Sequence, residues 1–327
     1  MTIKPLIKSF IPVACMAAMC LVGPYAGAQT YPAKPVRIVV PYATGGGSDI
    51  LARQIGAGLQ KAWGQGVVVD NKAGASGNIG TQEVVRAPAD GYTLLLQNST
   101  MVTNLGVMGK LPYDPEKDLT PIMLLGVTPI ALAAHPGAGI GSIKELVAAA
   151  KARPDTLSYG SCGIGTPQHF AMELVKQKTG VAAAHASYKG CAPVLTDVVG
   201  GQIPLAMVSA NLVAPYAKSG RLRIVGVSTA HRYGLLPDTA TFEEQGLKPF
   251  DFSIWYALMG PAKLSPQVVE KLAADVEKIL ADPAVQSSLS NAGVEPLKGS
   301  AQDLASLIKS DAVRYLQLAK SANIKAE

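Results

Sequence analysis

Twice along this sequence a run of strand-forming residues breaks into a loop of glycines and hydroxyl residues that opens a helix. The first junction runs from Val36-Arg37-Ile38-Val39-Val40-Pro41-Tyr42 into Thr44-Gly45-Gly46-Gly47-Ser48-Asp49. The second runs from Leu157-Ser158-Tyr159 into Gly160-Ser161-Cys162-Gly163-Ile164-Gly165-Thr166. A helix start leaves up to four backbone N–H groups without an intrahelical partner, and their partial positive charge favours an anion. One junction in each half of the chain predicts one anion held between two lobes.

The residues around these junctions set the fold class. Short β-branched or apolar runs at residues 36–40, 67–69 and 92–96 alternate with helix-like segments at 50–63 and about 80–86. Such alternation predicts an α/β fold, a mostly parallel sheet flanked by helices. The pattern restarts near Ile143, with Ser142 capping residues 143–152, strands at 157–159, 203–208 and 222–227, and a helix at 167–179. Ser265 and Pro266 then open an amphipathic helix, and another follows Ser300. The expected organisation is a first lobe from residues 29–130 and 251–327 and a second from 131–250, joined by two crossover segments. The C-terminal helices return to the first lobe.

Lys4 and Lys8 precede an apolar run from Phe10 to Val22 and then Ala26-Gly27-Ala28. This is the order of a cleaved secretory signal, so residues 1–28 are expected to be a signal peptide cut after Ala28. The run is interrupted by Pro12 and falls short of the roughly 20 residues that span a bilayer. Cleavage removes two lysines and no acidic residue, lowering the formal charge from +6 to +4. The remaining positive charge is dispersed, without the basic stripe that neutralises phosphates, so no nucleic-acid partner is expected. Only Cys162 and Cys191 remain. In an oxidising compartment they are candidates for a disulfide, with two buried thiols as the alternative.

No motif for catalysis stands out. The chain has no Gly-x-Ser-x-Gly elbow, phosphate-binding Gly-x-x-x-x-Gly-Lys loop or His-Glu-x-x-His pair, and Gly45-Gly46-Gly47 lacks dinucleotide spacing. His135, His169, His185 and His231 show no metal-ligand spacing. Neither a metal nor a cofactor is expected. A Cys162/His169 or Cys191/His185 nucleophile would need a free sulfur that a disulfide removes. His169, one turn into its helix, reads either as a donor facing the cleft or as a satisfied structural histidine. Binding is better supplied: Thr44, Ser48, Ser161 and Thr166 offer hydroxyls, Lys189 a cation, and the loops 71–80 and 97–100 add further polar groups. Loops at the carboxyl ends of parallel strands line a ligand crevice.

Several stretches in order resemble the tripartite tricarboxylate transporter substrate-binding proteins, the Bug receptors. They are Tyr31-Pro32 through Tyr42 with Gly45-Gly46 and Asp49, Asn71-x-x-Gly74-Ala75-x-Gly77-Asn78-Ile79-Gly80, and Ala89-Asp90-Gly91-Tyr92-Thr93-Leu94. Further along come Leu111-Pro112-Tyr113-Asp114, Ser158-Tyr159-Gly160-Ser161 with Gly165-Thr166 and His169, and Tyr188-Lys189-Gly190 with Pro193 and Asp197. The resemblance implies a periplasmic, two-lobed (Venus flytrap) receptor, not an enzyme, that closes over a small carboxylate and delivers it to membrane permease subunits. The expected ligands are di-, tri- or aromatic carboxylates or amino acids, and the expected state is a monomer. The expected site comprises Tyr42, Thr44, Gly45, Gly46, Ser48, Asp49, Ala75, Asn78 and Ser99 from the first lobe. From the second come Ser161, Gly163, Thr166, His169, Lys189 and Asp197. Alternatives are a protein presenting its ligand to a membrane kinase, or a secreted enzyme acting on a small acid.

Overall fold

The computed structural model describes residues 31–154 and 156–325. Residues 1–28, expected to be a signal peptide, lie outside them. Its first elements are β1 (Val36–Val40), α1 (Gly47–Trp63), β2 (Val67–Asn71), α2 (Asn78–Val85), β3 (Thr93–Asn98) and α3 (Thr100–Met108). The strand β4 (Leu119–Ala134) then carries the chain out of this unit. In the second half come α4 (Ile143–Ala152), β5 (Ser158–Ser161), α5 (Pro167–Thr179), β6 (Ala184–Ser187), α6 (Cys191–Val199), β7 (Leu205–Ser209), α7 (Ala210–Lys218) and β8 (Arg223–Val227). The return is made by β9 (Ser253–Pro261), followed by α8 (Pro266–Leu280), α9 (Pro283–Asn291), β10 (Glu295–Gly299) and α10 (Ala301–Ser321).

Each half carries its own sheet, parallel over three strands and antiparallel where the crossover strands join. In the first, β1 pairs in parallel with β2 and β3, β9 runs antiparallel to β3, and β4 lies antiparallel between β9 and β10. In the second, β5 pairs in parallel with β6 and β7, and β4 lies antiparallel between β7 and β8. The strand β4 therefore belongs to both sheets: Leu119 to Pro129 face β9, and Ile130 to Ala134 face β7. Its apolar run is buried almost throughout, as a strand covered on both faces requires.

Where β4 changes sheet, Ser228 stitches the two crossovers together. Its N–H donates to the Ile130 carbonyl at 2.9 Å, its hydroxyl accepts from the Ile130 N–H at 2.9 Å, and its carbonyl accepts from the Phe252 N–H at 3.1 Å. Against this point packs α10. The Trp255 indole donates to Asp311 at 2.8 Å, and Tyr315 meets Phe252 and Phe170 edge-on. Since Phe170 belongs to α5, the last helix touches both halves. No helix among the described residues is long and apolar enough to cross a membrane.

Candidate functional site

The helix starts divide into two groups. At α4, α8, α9 and α10 the side chains of Ser142, Ser265, Asp282 and Ser300 accept a first-turn N–H, and Ser300 and Asp303 complete a capping box. At α1, α2, α3, α6 and α7 the residues before the helix are Gly46, Gly77, Ser99, Gly190 and Ser209, none of which caps its helix, although at α3 Asn98 Oδ1 accepts from the Thr100 N–H at 2.9 Å. These five helices follow β1, β2, β3, β6 and β7, so their starts lie at the carboxyl ends of the parallel strands. At α1, α6 and α7 the amides that a surface helix would satisfy with its own cap are left for a ligand or water, whereas at α2 the Asn78 and Ile79 N–H groups donate to the Ala75 and Gly74 carbonyls.

In the first half, most of the expected side chains build the loops. Asp49 is buried and accepts from the Gly45 N–H at 2.9 Å and from Arg53 Nε at 3.1 Å. Burial alone would raise its pKa, but the hydrogen bonds from Arg53, Gly45 and Asn71 outweigh it and hold the carboxyl below the usual range. Ser48 Oγ accepts from Asn98 at 3.2 Å, while the Tyr42 hydroxyl lies 2.9 Å from Asn98 Oδ1. Asn78 accepts from the Tyr113 hydroxyl at 2.8 Å and donates to Met108 Sδ at 3.3 Å. Ser99 is buried with an unpartnered hydroxyl. Thr44, Gly45, Gly46 and Ala75 remain exposed on the loops themselves. Ala75 and Ser76 hold left-handed backbone, φ 46° and 53°, an arrangement that costs energy. Gly47 is required by close approach: a Cβ there would lie 2.4 Å from the Tyr256 hydroxyl.

The second junction is closed differently from the sequence expectation. The Thr166 hydroxyl accepts from the His169 N–H at 3.3 Å and donates to the Gly163 carbonyl at 2.8 Å, so α5 has a side-chain cap. His169 Nδ1 accepts from the Gly165 N–H at 3.2 Å, and Ser161 Oγ sits 2.7 Å from His185 Nε2. The two imidazoles stack at 3.9 Å, with Tyr159 stacked on the far side of His185. Burial, then the neighbouring His185 and Lys176, depress His169 to about 3, and burial also lowers His185; both rings are neutral at ordinary pH. His169 Nδ1 is thus engaged within its own loop, while Nε2 lies 3.9 Å from Glu173 Oε1. The open helix start nearby is that of α6, where Gly190 leaves the first-turn amides of Cys191 and Ala192 without a side-chain acceptor.

A Cys162–Cys191 disulfide joins this start to the loop after β5, and the Gly190 N–H donates to the Cys162 carbonyl at 3.1 Å. Asp197 accepts from the Tyr188 hydroxyl at 2.6 Å, a bond that pushes the phenol up to about 12. Lys189 is exposed and free of ion pairs among the described residues.

Between the halves lies a cavity of about 280 Å³, walled by Ser76, Asn104, Val107 and Met108 on one side and by Gly163, Ile164, Gly165, Ser187 and Tyr188 on the other. The walls touch at Gly165, where a Cβ would lie 2.4 Å from Val107 Cγ2 and where φ is +72°. Of these residues only Gly163 is among the expected site residues. Ser76 and Tyr188 stand beside expected ones in the same loops. Asn104, Val107 and Met108 sit in α3, whose apolar sequence carries no sign that one face borders a cleft.

The family model described as tripartite tricarboxylate transporter family receptor matches residues 51–324. Protein BugT of Bordetella pertussis is 32% identical over 300 residues, which cover 91% of this chain and 92% of BugT. The structure of R. palustris Rpa4515 with adipate aligns with a TM-score of 0.79 at 32% identity, over 90% of this chain and 100% of that one. That of MatC from Rhodopseudomonas palustris with bound malate aligns with a TM-score of 0.75 at 27% identity, over 88% and 99%.

Proposed function

This chain belongs to the tripartite tricarboxylate transporter family of receptors, and we propose that it captures a small carboxylate between its two lobes in the periplasm and passes it to membrane permease subunits. The lobes are residues 29–130 with 251–327, and 131–250. The observation that carries this reading is that one helix start in each half, α1 after β1 and α6 after β6, follows a parallel strand with no side-chain cap, whereas α4, α8, α9 and α10 are closed by their own side chains and α5 by Thr166. Amides of Thr44, Gly46, Gly47 and Ser48 would hold the carboxylate from one lobe, the Gly45 N–H being held by Asp49, and those at Cys191 and Ala192, with Lys189, from the other. A hydrogen bond to a charged group contributes about 1.5–3 kcal/mol, so four or five such donors reach the roughly 8 kcal/mol of a micromolar site. Asp49, Asn78, Ser161, Thr166, His169 and Asp197 shape the loops rather than touch the ligand. Closure follows because only the closed state offers both sets of donors. The acids held by Rpa4515 and MatC, adipate and malate, are carboxylates, which supports the ligand class.

The experiment is calorimetric titration of the mature chain with a panel of acids, followed by chromatography of the bound acid. Micromolar binding with the acid recovered unchanged is expected; turnover of the acid would sink the receptor reading. Uptake by membrane vesicles bearing the permease, measured with and without the chain, tests delivery.

A further inference from the structure

We infer that Gln168 is a positioning residue: it fixes the start of α6 for the ligand, and it does so by drawing the Ser209 hydroxyl away from capping α7. The inference rests on the reading above, in which amides at Cys191 and Ala192 hold the carboxylate. Gln168 is the second residue of α5 and is buried, 5% exposed. Its Nε2 carries two N–H groups and has two acceptors. One is Ser209 Oγ at 3.2 Å, at the end of β7; the other is Cys191 Sγ at 3.8 Å, on the first residue of α6. The strand β5 lies between β7 and β6 in the second sheet, so this one side chain reaches from the end of β7 to the helix that follows β6. The disulfide ties the same helix start to the loop after β5.

Two serines reveal the diversion. Ser265, with φ −64° and ψ 143°, caps α8 by accepting the Val268 N–H at 3.3 Å. Ser209 stands before α7 with nearly the same backbone, φ −62° and ψ 133°, yet accepts no first-turn N–H. The difference lies in the partner, because the Ser209 hydroxyl is held by Gln168. A serine cap ordinarily stabilises its helix, so a cap residue turned elsewhere gives up stability for geometry at the site. Its anchor is braced as well. Two residues further on, Asn211 Nδ2 donates to the Ala292 carbonyl of the first half at 3.1 Å, which holds the end of β7 against the other lobe.

The test titrates adipate, malate, citrate and benzoate into the mature wild type and into Gln168→Met by calorimetry, with melting and amide hydrogen exchange measured on both. Methionine keeps the length of the side chain but donates nothing; Gln168→Leu takes its place if that variant does not fold. The variant is expected to bind the tightest of these acids roughly fivefold more weakly, the order of one lost hydrogen bond. It should melt close to the wild type, because the freed cap offsets the lost contacts. The amide of Leu212, third in α7, should exchange more slowly once Ser209 is free to cap it, and adding Ser209→Ala should abolish that slowing. In a chain carrying Cys162→Ala and Cys191→Ala, Gln168→Met should weaken binding no further. Unchanged affinity in the folded variant, an equal loss in the chain without the two cysteines, or Leu212 exchange at the wild-type rate would each overturn the inference and leave a receptor in place. Failure of the wild type to bind any of the four acids would instead overturn the receptor reading.

Discussion

Gly165 is one of the points at which the two lobes meet, and it meets two demands at once. Its φ of +72° disfavours any side chain by about 1–2 kcal/mol, and Val107 leaves no room for one. Gly165→Ala is therefore expected to cut adipate affinity tenfold or more by holding the lobes apart. Adding Val107→Ala should restore part of the loss, and a double variant no better than the single one would show that strain alone is responsible. His169 makes a second prediction. Its folded pKa, about 3, lies below the ordinary value near 6.5, so the unfolded chain binds the proton first. Stability should fall as pH drops from about 6.5 towards 3. Asp49, held below the usual carboxylate range, adds a loss as pH falls below about 4. In His169→Asn, whose amide oxygen can still accept the Gly165 N–H, the decline in Tm between pH 7 and 5 should be shallower; an identical decline would assign it to other groups. The sequence marks these loops as polar but not where their hydroxyls point. Ser161 turns inward because β6 brings His185 beside it, and Ser48 because β3 brings Asn98. Those partners come from pairing across the sheet, which local pattern does not encode.

Among the elements, glycine before a helix was the readable sign: Gly46, Gly77 and Gly190 all precede uncapped starts. The start of α5 was misjudged because Thr166-Pro167 is itself a capping sequence, and its side chain supplies what the glycines ahead of it do not. The length of β4 was hidden by Pro121 and Pro129. Pro121 falls at a register shift against β9, and Pro129 is the last residue paired there before the strand changes sheet, so neither interrupts a regular ladder. The disulfide makes two second-lobe segments one unit. Closing a separation of 29 residues is worth about 3.5 kcal/mol in the chain-entropy model. Cys162→Ser with Cys191→Ser should lower Tm and also weaken adipate, as the loop after β5 and the start of α6 move independently. A variant that melts lower yet binds unchanged would make the bridge purely a stabiliser. Ser300→Ala is the opposite case: losing its capping box should cost about 1 kcal/mol in urea unfolding and leave binding untouched.

At the scale of the molecule, one long strand and one return segment cross between lobes, tied at Ser228 and backed by α10. The strand β4 changes sheet at the Pro129–Ile130 junction, and the interlobe cavity lies between α3 of the first half and the loops after β5 and β6 of the second. The family explains the plan, and the caps explain why an anion would complete it. The most direct test is a crystal structure of the mature chain grown with its tightest-binding acid. A carboxylate within hydrogen-bond distance of amides at the starts of both α1 and α6 is predicted. An acid held by one lobe alone, or bound outside the cleft, would contradict capture between the lobes.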